Sequence, residues 1–358
     1  MRGVYKVVVK AVKSFGLFTL LGIILVIFPG NSFASEGTNA GENGYIEQYY
    51  KEKEEKEGNV DPKVRIVDPL IEEQIILETL KAYWEEDLKV AEILETALQD
   101  QSVKSLVLST DKEEKIKAIE LIKQNYESFD AEQQKELHYY VEKHSRGIED
   151  PAINKYLETL DAAEKKELSG SNATITSSGY NAAAASNWAF TNYNKYSTNY
   201  PRFTGSFGTN CTNFISQAMH VGGGISKQGN WTISRKNTKY HIINIATELN
   251  YSWTLTDPSP WISVKEFSQF WRPKSTVRTA TNSQYLTNPT NYQNQRVGDI
   301  VLFSKGVAGT ITVPTHAMII TQRTGTDFNL AGNSVERQAH PLKTAISAYQ
   351  QIDFLRPN

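Results

Sequence analysis

The sequence predicts an α+β protein, with an all-α helical module leading into a domain that packs a helix on an antiparallel sheet. Three observations carry this. Charge divides the chain: residues 35–170 hold 18 Lys+Arg against 33 Asp+Glu, a balance of −15, and residues 171–358 hold 16 against 7, a balance of +9. Residues 1–34 add four cations and no acid, which recovers the overall −2. Aromatic content shifts at the same place, with five of the six Trp after residue 170 (Trp188, Trp231, Trp253, Trp261, Trp271). Periodicity shifts too, from three- and four-residue apolar steps in the first part to alternation near the C-terminus.

The chain opens with Arg2, Lys6, Lys10 and Lys13, then the uncharged run "FGLFTLLGIILVIF" from Phe15 to Phe28, then Pro29-Gly30 and "NSFAS". Cations, a short apolar run and small residues at Ser32 and Ala34 are the order of a secretory signal. The run is short against the roughly 20 residues of a membrane span. Residues 1–34 are therefore read as a signal peptide, the mature protein as secreted or held at the cell wall, with no stable membrane span after cleavage.

Residues 35–66, with "KEKEEKEGN", are read as a flexible charged lead-in. An acidic helical module is expected over 67–168. In it Leu70, Ile71, Ile75, Leu77, Leu80, Tyr83 and Trp84 begin an apolar stripe that Leu88, Ala91, Leu94 and Leu98 continue. Capping residues before each helix (Ser109, Thr110 or Asp111; Asp130; Asp150 followed by Pro151) divide it into three to five helices. His138 and His144 lie six apart, share no helix face and have no Cys near them in sequence; they are read as solvated. The small polar stretch 169–179 is read as a linker. Opposite charges on the two modules are expected to draw them into contact and limit access to any cleft beneath.

Residues 180–358 form the second domain. Tyr180 to about Asn194, with four consecutive Ala, is expected to be a helix. Gly205 and Gly208 allow a tight turn, and "NCTNFISQAMHVGGG" reads as a second helix, capped by Thr209 or Asn210 and ended by Gly222, Gly223 and Gly224. The chain's single cysteine, Cys211, then stands in the first turn of that helix. Free N–H groups and the helix dipole favour an anion there, so the thiol loses its proton readily. The same N–H groups suit an oxyanion. An unpaired thiol in an exported protein is exposed to oxidation, so a single Cys in this setting reads as a nucleophile.

A thiolate nucleophile needs a base. Of the four histidines in this domain, His316 begins "HAMIITQ", read as a strand between the strands "VGDIVLF" and "TDFNLAGNS", with a hairpin at Gly325 and Asp327. Across that hairpin Asn333 is placed to fix the imidazole tautomer. His220 follows Cys211 by nine positions, about 13 Å of helix rise, and with His241 and His340 is read as ordinary. Asn210, Asn213, Gln217 and Trp231 are candidate substrate contacts. Nothing has the spacing of a metal site, no cofactor is expected, and no basic run exceeds two residues in this domain, which argues against nucleic acid.

These pieces together resemble a known family. "YNAAAASNWAFTNYNKYSTNYPRF", "CTNFISQAMHVGGG", Trp231, "SWTLTDPSPWISVKEFSQFW", "VGDIVLF", "HAMIIT" and "NSVERQAHPL" follow one another over residues 180–350 as in the putative amidase domain of secreted Gram-positive proteins. That domain is related to the CHAP amidases and to papain-like peptidoglycan endopeptidases. The resemblance implies a papain-like fold and a cysteine amidase or peptidase acting on peptidoglycan or a related peptide. Cys211 would be the nucleophile, His316 the base and Asn333 the third polar residue. Two positions depart from the family pattern: Asn210 stands where Asp is usual, and Asn333 where His is frequent. The +9 charge suits an anionic envelope polymer. Two other readings use the same residues: an inactive module that only binds the wall, and an acyl transferase.

Overall fold

The computed structural model describes residues 43–56, 64–170, 179–204, 207 and 209–358. The signal segment, most of the linker, and Gly205 and Gly208 lie outside the described residues. No helix among those described is long and apolar enough to cross a membrane.

The protein is α+β: an N-terminal helical region is followed by a sheet-containing domain. Helix α1 (Gly44–Lys56) falls inside the stretch read as flexible. The reason is Tyr45 and Tyr49, one turn apart, both buried against later parts of the chain. Helix α2 (Pro69–Leu98) starts where Asp68 accepts from the Leu70 and Ile71 N–H groups, with Pro69 at the favoured first position. Helices α3 (Ser102–Leu108), α4 (Lys112–Asn125), α5 (Ala131–Ile148) and α6 (Pro151–Gly170) complete the region. Asp111 caps α4, and Asp130 with Gln133 forms a reciprocal capping box on α5. Val90, Leu94, Ile119, Ile122, Leu137 and Val141 fill the core between them.

His144 corrects the reading of solvated histidines. It is fully buried, with Nε2 2.7 Å from Asp87 Oδ2. Asp87 is also fully buried and takes Lys143 Nζ at 2.6 Å, Lys115 Nζ at 3.6 Å and the Tyr45 hydroxyl. Burial works against the charged carboxylate, but the two lysines and His144 hold it well below the usual carboxylate range. The period of an amphipathic helix cannot reveal such a cluster, because its partners come from α1, α2, α4 and α5. His138 is partly buried, 3.0 Å from Asp161.

Six antiparallel strands form the sheet of the second domain: β1 (Ser275–Thr281), β2 (Ile300–Val307), β3 (Ile311–Thr324), β4 (Asp327–Gly332), β5 (Arg337–Pro341) and β6 (Gln351–Pro357). Their order is β1-β6-β2-β3-β4-β5. Alternation divides their side chains. Ile300, Leu302, Ala317, Ile319 and Ala331 face one core with helices α7 (Ala182–Asn192) and α8 (Cys211–Gln217). Val301, Phe303, Met318, Ile320 and Leu330 face a second core.

Strand β3 begins at Ile311, five residues before the expected start at His316. The extension exists because the tip of the β2–β3 hairpin is seated in the helical region. Val307, Ala308, Ile311 and Val313 share one core with Tyr45, Tyr49, Ile76, Leu80 and Tyr83. Backbones touch there: a Cβ on Gly147 would lie 2.0 Å from the Thr310 carbonyl oxygen, and one on Gly309 2.2 Å from that of Thr110. Gly309 also has φ +78°, open to glycine at little cost. Around this contact Lys265 meets Glu86 at 2.8 Å and Arg272 meets Glu142 at 2.6 Å.

Asp87→Asn leaves buried Lys115 without its counter-charge and buried Lys143 with Glu86 alone, 3.2 Å away. Urea unfolding should show a loss of about 3–5 kcal/mol, the usual result of removing one partner of a buried pair. An unchanged midpoint would show that the cluster does not need the carboxylate.

Candidate active site

Cys211 is the first residue of α8 and is fully buried. The Thr209 and Thr212 hydroxyls stand 3.5 and 3.6 Å from its sulfur. Asn210 holds the cap position, but its side chain does not cap the helix. Its Oδ1 instead accepts from the Phe203 N–H at 3.1 Å and from Asn213 Nδ2 at 2.9 Å. Its Nδ2 donates to Asn333 Oδ1 at 2.5 Å, and Asn333 Nδ2 donates to the Tyr193 carbonyl. The chain just before the cysteine is thus tied to the end of β4 and to the residue after α7.

His316 is 1% exposed and lies within β3, not at its start. Phe303 pairs with His316 and Ser304 with Pro314, so Thr315 is an extra, unpaired residue. A bulge of this kind re-aims the side chains beside it. Gly332 lets Met318 pack close beside the ring: a Cβ there would lie 2.9 Å from Met318 Cε and in ordinary contact, 3.6 Å, with His316 Nε2. Burial pushes the Cys211 thiol up. The charge of His316 and its hydrogen-bonding capacity, with the hydroxyls of Thr209 and Thr212, more than reverse this, to a pKa of about 6. Neither ring nitrogen of His316 closes a hydrogen bond in this closed arrangement, so the pull on the sulfur is chiefly electrostatic. A buried thiol whose pKa is lowered in this way is in the thiolate form over a wider pH range than a free cysteine.

Of the predicted residues, His316 acts on Cys211 through its charge, without a closed hydrogen bond. Asn333 is near them in the fold, but both ends of its amide are engaged by Asn210 and Tyr193, not by the imidazole. Asn213 and Trp231 belong to the framework behind the cysteine. Asn213 bonds the Pro201 carbonyl and Asn210, and accepts from Trp261 Nε1. Trp231 is fully buried, donates to Ser216 Oγ at 3.0 Å and packs between Trp261 and Trp271. Gln217 is 7% exposed at the end of α8. His340, read as ordinary, is buried on β5; burial, Arg337 and the His316 charge lower its pKa to about 4.

Sequence reasoning missed four residues that meet beside His316. Glu72, from the first turn of α2, accepts from Thr315 Oγ1 at 2.9 Å and lies 3.3 Å from Lys305 Nζ. Burial and the Glu72 charge push the Tyr349 hydroxyl well above its ordinary pKa, and it is close enough to Cys211 to feel its charge too. Nothing in the local pattern separates Glu72 from Glu73; only the long-range contact does. The large cavity between the helical region and the sheet, about 1400 Å³, is lined by His138, Glu142, Arg146 and Arg272 and reaches neither Cys211 nor His316.

Residues 179–355 match the family model described as "Putative amidase domain", and this part of the chain belongs to that family. The match supports an amidase-type hydrolase in general. No curated protein and no solved structure matches the chain.

The pair sets a pH dependence. With the thiol pKa lowered, thiolate predominates above about pH 6 and is lost as pH falls through that value. Iodoacetamide should therefore alkylate Cys211 with a half-maximal rate near pH 6. In His316→Ala the cation is gone and burial remains, so the midpoint should move upward, toward or past the ordinary value of 9.0. The same midpoint in both proteins would mean that His316 does not set the charge of the sulfur.

Proposed function

We propose that the protein is a secreted cysteine amidase or peptidase of papain-like type that hydrolyses an amide bond in peptidoglycan or a related peptide. The observation that carries this is the pairing of the chain's single cysteine, at a helix start, with a buried histidine inside the amidase-family segment.

The Cys211 thiolate attacks the amide carbonyl. The oxyanion of the tetrahedral intermediate takes the backbone N–H groups at the start of α8, which have no partner within the helix. His316, as imidazolium, gives its proton to the leaving amine, and the C–N bond breaks to leave a thioester on Cys211. Neutral His316 then takes a proton from water, the hydroxide attacks the thioester, and carboxylic acid leaves as the thiolate reforms. Asn333 supports this by fixing Asn210, and through it the turn that presents Cys211. A net +9 over residues 171–358 favours an anionic envelope polymer as the surrounding substrate.

Two readings compete: a wall-binding module without activity, and an acyl transferase that passes the same thioester to an amine. The test is incubation of the wild type and Cys211→Ala with whole cell walls, each with and without prior limited proteolysis, followed by mass analysis of released fragments. New amines and carboxylates from the wild type alone support hydrolysis. Transfer products in place of free carboxylate support the transferase. Identical profiles, with both proteins pelleting with the walls, reduce the protein to a binding module.

A further inference from the structure

Cys211 and His316 are 0% and 1% exposed, so no substrate reaches them in this arrangement. A piece of the helical region docks beside them. In residues 65–76 the Arg65 carbonyl accepts from Arg337 and Ile66 is buried in the core that holds Phe303 and Tyr349. At the far end of the segment Ile75 packs on the core that holds α8. Between them Glu72 points its carboxylate into the domain.

The receiving groups form a built pocket. Thr315 is fully buried, and its hydroxyl donates to Glu72 Oε1 at 2.9 Å. Lys305 is held over the Tyr349 ring, 4.6 Å from its centroid, while its Nζ donates to the Ala348 carbonyl at 2.6 Å and faces Glu72 Oε2 at 3.3 Å. Tyr349 is 5% exposed, and its ring forms the floor under Lys305. One hydroxyl and one ammonium converging on one carboxylate make a charge-assisted anion site. It adjoins His316 in sequence through Thr315, the bulge residue, and lies within electrostatic reach of Cys211 through Tyr349. Both receiving groups, and the Tyr349 ring that holds Lys305, belong to the amidase-family segment, whereas the occupant comes from the helical region.

We propose that Lys305 and Thr315, with Lys305 held over the Tyr349 ring, form a carboxylate-binding subsite of the active site, that its ligand is a peptide with a free carboxylate next to the scissile amide, and that Glu72 fills it as an internal stand-in. The catalytic meaning of this subsite rests on the reading of Cys211 as the nucleophile; its existence does not. Residues 65–76 are then a plug that imitates substrate by charge, and the enzyme is at rest until the plug lifts.

The lone cysteine supplies a readout independent of hydrolysis. Full-length wild type, Glu72→Gln and Glu72→Ala are alkylated with two neutral and anionic reagent pairs: iodoacetamide with iodoacetate, and N-ethylmaleimide with maleimidopropionate. The wild type should react slowly with all four. Glu72→Gln removes the charge but keeps the pocket filled, so its anion-to-neutral rate ratio should stay close to that of the wild type. Glu72→Ala empties the pocket, and for at least one pair the ratio should rise about tenfold, the scale of one hydrogen bond to a charged group. Lys305→Ala in the Glu72→Ala background should remove that preference while the neutral reagents keep their rates. An unchanged ratio in Glu72→Ala overturns the proposal, and so does an equal rise in Glu72→Gln, which would reflect general charge and not a pocket. Should the ratio behave as expected while cell walls stay intact, the subsite stands and the hydrolase reading falls.

Discussion

The tip of the β2–β3 hairpin, seated in the helical region, is the contact on which the rest of the arrangement depends. Val307, Ala308, Ile311 and Val313 have no core of their own domain to enter; their partners are Tyr45, Ile76, Leu80 and Tyr83. Close backbone approach at Gly147 and Gly309 leaves no space for a side chain there. Fixing this tip fixes α2, and fixing α2 brings Glu72 to Thr315, next to His316. Strand β3 connects the two ends of the effect, since it carries Ile311 and Val313 at the tip and Thr315 and His316 at the site.

Charge then adds direction to an apolar contact. Lys265, Arg272 and Lys305 meet Glu86, Glu142 and Glu72, each pair joining the basic domain to the acidic region. Partly exposed pairs of this kind contribute little individually. Their value lies in register, because each acid sits on a helix whose rotation the hairpin has already set. The buried cluster around Asp87 is different in kind. It lies at the centre of the helical region, and Thr310 of the hairpin tip approaches its His144 at 3.4 Å.

Much of the α+β layout was legible because it rests on local signals. Asp68, Asp111, Asp130 and Asp150 bond helix starts next to them in sequence. Alternation in "HAMIIT" gives the two faces of β3. Cys211 and His316 stand out as a lone thiol at a helix start and a histidine in an apolar strand. What escaped depends on distant partners. Helix α1 folds because Tyr45 finds Asp87, and β3 starts early because Ile311 finds Tyr45 and its neighbours. Trp231 reads as a substrate contact until Trp261 and Trp271 enclose it. Asn333 has the right chemistry to orient a histidine, yet Asn210 and Tyr193 already occupy both ends of its amide.

The central claim is that helical region and sheet fold as one unit, and that this union closes the site. It is tested most directly by urea titration of the full chain, following helix content by circular dichroism and Cys211 by its iodoacetamide labelling rate. The account predicts coincident transitions, as for one cooperative unit. Labelling that reaches its unfolded rate while the helices and sheet remain intact would contradict it.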